Sequence, residues 1–240
     1  MLSLVSLLRY VSFDDFGYRG SVYEKDLCHQ RKSAKKQEHG HLARQGIGGG
    51  KNVDSDTLVE LIDLYGLKYT GCRSCFACKL KGGANYGKCA VRDDLYDVLE
   101  KLRDADAVVF GSPIYYRTIT GQLHAFYERF FFPYMQYKHG YPNLVQKKIL
   151  TACIYTMNVK EKEMLRDNYR EYMGLFEMFL ENYFQKPMLL CSFNTYQFDD
   201  YDKYVCEVFS KDEKAAWCDE HFPEDCRKAV AVGEELAAKA

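Results

Sequence analysis

Leu95, Val98, Leu99 and Leu102 fall at i, i+3, i+4 and i+7 of the stretch DDLYDVLEKLRDAD. That spacing marks one face of an α-helix, with Asp93 or Asp94 as its N-cap. The next stretch, AVVFGSPIYY (107–116), is continuously apolar and ends in small turn residues, as expected of a strand buried on both faces. In TGQLHAFYERFFF (120–132), Leu123, Phe126, Tyr127 and Phe130 share a helical face behind a Thr120 cap. KKILTACIYT (147–156) and KPMLLCSF (186–193) are further strands, and TLVELIDLY (57–65) is an earlier one. Residues 160–183 predict one long helix with Leu165, Tyr169, Tyr172, Phe176, Phe179 and Tyr183 inward. A closing helix is expected from Pro223, at a favoured first-turn position.

Strands alternating with helices imply an α/β fold, a three-layer open parallel sheet covered on both faces. Four strands are legible, and residues 13–52 offer no clean fifth. The chain divides accordingly into a segment 1–52, expected to be disordered or irregular, and a domain 53–240.

Composition narrows the function. The 240 residues carry 33 Lys and Arg against 34 Asp and Glu, a net charge of −1. That balance argues against nucleic acid or an anionic membrane as a partner. No apolar run approaches a membrane span, and MLSLVSLL lacks both the preceding positive charge and the cleavage site of a signal peptide. Ten cysteines without a secretion signal point to a cytoplasmic protein with a cysteine-ligated site rather than a disulfide scaffold.

Two stretches carry candidate chemistry. Open parallel sheets bind ligands outside the carboxyl ends of their strands, and GSPIYYRTITGQ lies at such an end. Gly111 and Ser112 allow close backbone approach, Pro113 stiffens the loop, and Tyr115 and Tyr116 offer flat faces to a planar heteroaromatic ligand. The plain alternative is an ordinary strand-to-helix loop with core tyrosines. In GCRSCFACKLKGGANYGKC, Cys72, Cys75 and Cys78 stand three apart and Cys89 follows after ten intervening residues. Three thiolates so spaced can wrap a compact metal centre, closed by the fourth. Zinc is more usually held by two separated pairs, and idle thiols in a long loop are the plain alternative. The cluster follows the first legible strand, so it is expected at the same sheet edge as the tyrosine loop. His124, on the helix after that loop, reads as a surface or core residue.

Taken together, ELIDLYGLKYTGCRSCFAC, GKCAVRDDL, ADAVVFGSPIYY, TGQLHAFYERFFF and HFPEDCRKAVAVGEELA occur in an order that resembles the flavodoxin-like NAD(P)H-dependent FMN reductase family, and in particular its iron–sulfur flavoprotein branch. The resemblance covers roughly residues 57–240. It implies strand order 2-1-3-4-5, a homo-oligomer, FMN as cofactor and NAD(P)H as electron donor. Ser112, Pro113, Ile114, Tyr115 and Tyr116 would match the loop packed on the isoalloxazine. Cys72, Cys75, Cys78 and Cys89 would match the ligands of a 4Fe-4S cluster, although the gap before Cys89 is longer than is typical of cluster-binding members. The implied function is an oxidoreductase passing electrons to a quinone, flavin or aromatic acceptor. The alternative is an electron carrier that exchanges electrons with ferredoxin.

The first 52 residues depart from the family, whose members open with a strand and a G-S-P-R-K-x-x-N-T phosphate loop. Reverse translation of residues 23–53, read one base later, admits a start codon followed by MKKIFVINGSPRKNRNTAT and, further on, KALEAAKTL. Residues 1 to about 52 are therefore expected to be an out-of-frame product, with the phosphate loop hidden behind Gln30–Lys35. The chain as written would then be non-functional or would retain FMN weakly. The competing expectation is a divergent natural N-terminus in which LSLVSLLRYVSF supplies a substitute first strand. QGIGGGKN does not supply a nucleotide loop for that reading, since it has no Walker A or G-x-G-x-x-G spacing.

Overall fold

The computed structural model describes residues 9–14, 34–53, 58–198 and 200–240. Five parallel strands form one sheet: β1 (Arg9–Asp14), β2 (Leu58–Asp63), β3 (Ala107–Pro113), β4 (Leu150–Thr156) and β5 (Met188–Ser192). Their order is β2-β1-β3-β4-β5, the doubly wound arrangement expected. Strand β1 is an interior one, pairing Arg9 with Leu58 on one side and Tyr10 with Ala107 on the other. RYVSFD thus takes the place of the first strand, and the sheet has no gap between β2 and β3.

Helix α1 (Ala34–Val53) follows β1. The expectation that residues 1–52 are irregular is corrected for these two elements. The proposed hidden loop, Gln30–Lys35, falls largely outside the described residues, which resume at Ala34.

The helices divide between the two faces of the sheet. Helices α2 (Asp94–Arg103), α3 (Gly121–Phe131), α4 (Glu161–Arg166) and α5 (Tyr169–Tyr183) follow the order of the strands, and α6 (Lys211–Lys239) closes the chain. Alternation along β3 and β4 sorts the core. Val108, Phe110, Cys153 and Tyr155 join the larger cluster with α2, α3 and α5. Ala107, Val109, Ala152 and Ile154 join the smaller one with α6. Helix α2 is as the periodicity predicts: all four of its apolar positions are buried, and the Asp93 carboxylate accepts from the Leu95 N–H. Thr120 caps α3 through Leu123 N–H.

Two helices differ from expectation. The long helix over 160–183 is broken, because Asn168 takes a left-handed conformation at φ 57°, one that a short polar residue tolerates. The break rotates the helix phase. Met173, Phe176, Leu180 and Tyr183 of α5 face the core, while Leu165 and Tyr172 are exposed. Helix α6 starts at Lys211 behind a Ser210 cap and runs through Pro223 as an interior residue, so the proline does not mark its beginning.

Helix α1 lies against α6 at a distance that only glycine permits. A Cβ on Gly233 would fall 1.7 Å from Gly46 O, and one on Gly49 would fall 2.1 Å from Val230 O. The glycine run thus serves as a helix contact face.

Candidate functional site

The tyrosine loop sits where β3 ends, beside the reversal in strand order. Ile114 extends the sheet by donating its N–H to Thr156 O at 2.9 Å. Tyr115 and Thr118 then exchange two backbone hydrogen bonds, 2.9 and 3.1 Å, which closes a two-residue hairpin. Its central residues, Tyr116 and Arg117, have φ of 49° and 72°. Turns of this shape favour Asn-Gly, and side chains there cost about 1–3 kcal/mol each. The Arg117 guanidinium packs over the Tyr169 ring, 5.8 Å from its centroid.

The five residues expected to form the flavin loop play unequal parts. Ser112, Pro113 and Ile114 are buried, Tyr115 is half-buried, and Tyr116 is fully exposed. The Ser112 hydroxyl accepts from Thr120 N–H at 3.2 Å and donates to Pro113 O at 2.9 Å, so it braces the loop from inside. Tyr115 and Tyr116 are the members that face outward. Their flat rings, carried on a turn closed by two backbone hydrogen bonds, suit a planar aromatic group. The stretch between β1 and α1, where the family's phosphate loop would fall and where this sequence lacks it, lies outside the described residues. His124 is exposed and stacks on Tyr127 at 5.3 Å and 18°, a surface role.

The neighbouring strand ends are held by a lysine that sequence reasoning missed. Lys214 of α6 is 2% exposed. Its ammonium donates to Asn158 O and Asn194 Oδ1, both at 2.6 Å, and to Thr195 O at 3.2 Å. It fastens the loop after β4 to the loop after β5. A buried cation inside an amphipathic helix was its only signal.

The four candidate cysteines, Cys72, Cys75, Cys78 and Cys89, line one solvent-open cleft, all as free thiols. The ten-residue gap folds back on itself: Gly87, at φ 75°, donates its N–H to Cys78 O at 2.9 Å. Cys89 is thereby returned to the other three despite the long spacing. Burial pushes the Cys78 thiol up, Lys79 opposes this, and Cys72 and Cys75 add to it.

The cleft does not sit at the carboxyl edge of the sheet. The Cys72 N–H donates to Glu128 Oε2 at 2.8 Å, and Arg129, Phe132 and Pro133 complete the wall. Glu128 is seven residues from the first residue of α3, Gly121, about 10 Å along the axis at 1.5 Å per residue. The expectation of a shared edge is corrected by the chain after β2, which runs down α3 before the cysteines begin. Tyr69 Oη donates to Gln122 O at 2.7 Å, and Arg129 Nη1 to Thr70 O at 3.2 Å.

Two cations missed in the sequence flank the thiols. The Lys79 ammonium donates to the carbonyls of Phe132, Pro133 and Met135 at the end of α3. The Arg129 guanidinium, 2% exposed, forks onto Asp93 at 2.5 and 2.9 Å. Burial works against its charge, but Asp93 and the Cys89 thiol outweigh that and raise its pKa. The signal for Arg129, and for Glu128 beside it on α3, was the Glu-Arg pair inside the aromatic run FYERFFF.

Among the described residues, no three His, Cys, Asp or Glu side chains converge to hold a single metal ion. The thiols are spread around a cavity instead. A cluster of several irons is wider than one ion, and its ligand set is cysteine thiolate. Four thiols, apolar walls and two neighbouring cations suit a negatively charged sulfur-ligated group, and Cys72, Cys75, Cys78 and Cys89 would hold it.

An iron–sulfur flavoprotein of Archaeoglobus fulgidus is 44% identical over 62 residues, 26% of this chain and 28% of that protein. One of Methanocaldococcus jannaschii is 33% identical over 70 residues, 29% of this chain and 34% of that protein. The chain thus matches about a third of the length of these curated relatives. Among solved structures, an azoreductase from Bacillus anthracis superposes with a TM-score of 0.63 at 15% identity, covering 95% of this chain and all of that one. An NAD(P)H:quinone oxidoreductase from Methanothermobacter marburgensis gives 0.62 at 11%, covering 97% and 98%. At such identities these likenesses speak for the fold. Residues 48–179, more than half of the chain, match the family model of the NADPH-dependent FMN reductases, and the chain belongs to that family.

Proposed function

We propose that the chain is an FMN-dependent oxidoreductase that takes electrons from NAD(P)H and passes them to a quinone, a free flavin or an aromatic acceptor. The observation that carries this reading is the Tyr115–Thr118 hairpin at the end of β3, in a chain of this family. When bound, FMN supplies the chemistry of hydride acceptance and electron release. The protein's own part is to bind and orient. Tyr115 and Tyr116 would pack against the ring system, Ser112 holds their loop in shape, and Lys214 keeps the adjoining loops in register. A cytoplasmic homo-oligomer is the setting this reading expects.

The test is reconstitution with FMN followed by NADH and NADPH oxidation against quinone, flavin and azo acceptors. Flavin retention with acceptor-dependent turnover supports the reading. A folded protein that takes up no flavin at saturating FMN refutes it.

The cysteine cleft favours a second reading, in which the chain is an iron–sulfur flavoprotein whose cluster exchanges electrons with FMN and with a carrier such as ferredoxin. Anaerobically purified protein should then show broad brown absorbance and about four irons per chain. Flavin bands without iron would exclude it.

A further inference from the structure

Arg129 carries five N–H groups in a planar fork. Four hydrogen bonds account for its two terminal nitrogens: Nη1 to Thr70 O and Asp93 Oδ2, Nη2 to Val91 O and Asp93 Oδ1. The remaining donor, Nε–H, is buried without an acceptor in bonding geometry. Buried N–H groups are rarely left so. The residue lines the cysteine cleft, and Cys89 lies near enough to the guanidinium to favour its charge.

We infer that Arg129 is a positioning residue that sets the reduction potential of an iron–sulfur cluster in the cleft, its unspent Nε–H being meant for sulfur. This inference rests on the second reading above. Asp93, Val91 and Thr70 lock the fork on three sides, leaving one N–H for the cleft. The segment from Val91 to Asp93 is held by the same guanidinium, so the side chain that seats the stretch after the fourth cysteine also lines the cleft. Reduction adds one electron to the cluster and increases negative charge on its sulfurs. A charge-assisted hydrogen bond to sulfur then strengthens, and the reduced state gains more than the oxidised one. The paired Asp93 carboxylate offsets part of the positive charge, so its removal should act in the opposite direction.

The experiment compares anaerobically purified full-length wild type, Arg129→Lys and Asp93→Asn. Iron and acid-labile sulfide are measured, and the cluster midpoint is read by EPR during titration with dithionite, the one-electron source. Lysine keeps the charge but lacks the fork and the Nε–H. Its reduction equilibrium should fall about tenfold, a midpoint about 59 mV more negative for a one-electron couple. Asp93→Asn should move the midpoint the other way. A cluster-loaded Arg129→Lys with an unchanged midpoint overturns the inference, as does a fall in both variants, which would mark a purely structural fork. If Arg129→Lys does not load, Asp93→Asn decides alone: a rise supports the inference, and no change or a fall overturns it. Wild type without iron or sulfide overturns the second reading and the inference together. Wild type with iron but without the shifts overturns the inference alone.

Discussion

Replacing Gly233 with alanine tests the seam between α1 and α6 directly. The added Cβ would lie 1.7 Å from Gly46 O and 2.7 Å from its carbonyl carbon. Both are backbone atoms, so no rotamer change relieves the contact and the helices must part. Overpacking typically costs about 1–3 kcal/mol, and a backbone clash belongs at the upper end. Alanine returns up to about 1 kcal/mol through its better helix propensity. The net loss is about 2 kcal/mol, which for a chain of this size lowers Tm by about 4–8 °C. Gly48 is the internal control, since nothing lies within 4 Å of a Cβ placed there. Gly48→Ala should therefore stabilise by about 1 kcal/mol. Thermal and urea unfolding of both variants against wild type supply the measurement. If Gly233→Ala is as stabilising as Gly48→Ala, α1 does not rest on α6, and the order of the N-terminal third must be redrawn.

Four further outcomes follow from the geometry. Asn-Gly in place of Tyr116-Arg117 should stabilise the hairpin by about 2 kcal/mol while weakening FMN binding; unchanged flavin affinity would remove Tyr116 from the site. Asp225 accepts from Ser192 Oγ at 2.6 Å, and burial raises its carboxyl pKa against that hydrogen bond. A raised carboxyl favours the protonated folded state, so its contribution is present below the unfolded pKa and lost as pH rises through the folded one. Asp225→Asn should thus leave Tm nearly unchanged near pH 4 and raise it near pH 8, and equal shifts at both would contradict this assignment. Lys214→Met strands the acceptors Asn158 O, Asn194 Oδ1 and Thr195 O and should cost about 2–3 kcal/mol, read by denaturant midpoint. Finally, we expect that a chain carrying NGSPRKNRNTA in place of the present N-terminal stretch binds FMN more tightly, each charge-assisted hydrogen bond to the phosphate adding about 1.5–3 kcal/mol. Equal affinity by fluorescence titration, or genomic codons at Gln30–Lys35 that do not spell that loop one base on, would falsify the frame-shift idea.

Legibility in the sequence followed the strength of local signals. Helix α2 announced itself through four leucines and valines on one face and an aspartate cap, and β3 through seven consecutive positions that prove buried. The break at Asn168 was invisible, because a left-handed residue leaves no mark on hydrophobic spacing, and it turned Leu165 and Tyr172 outward. Pro223 misled because proline usually opens helices, whereas α6 begins at the Ser210 cap, which binds Glu213 N–H. RYVSFD is too short and too polar to declare itself an interior strand. It becomes one through pairing on both edges, a long-range property. The cysteines were legible as a set, but their convergence depends on Gly87 and Arg129, which act across gaps that no motif spacing encodes.

The bond from Gly87 N–H to Cys78 O has a practical side. It ties off residues 79–86 as a closed bight whose two ends meet irrespective of what lies between. Loop-closure entropy grows only slowly with length, so the tip at Lys81 and Gly82, both exposed, should accept inserted residues while the thiols stay in place. A fluorophore or spin label grafted there would report on the cleft from a few residues away. The glycine two positions before the last cysteine is what returns that cysteine to the third.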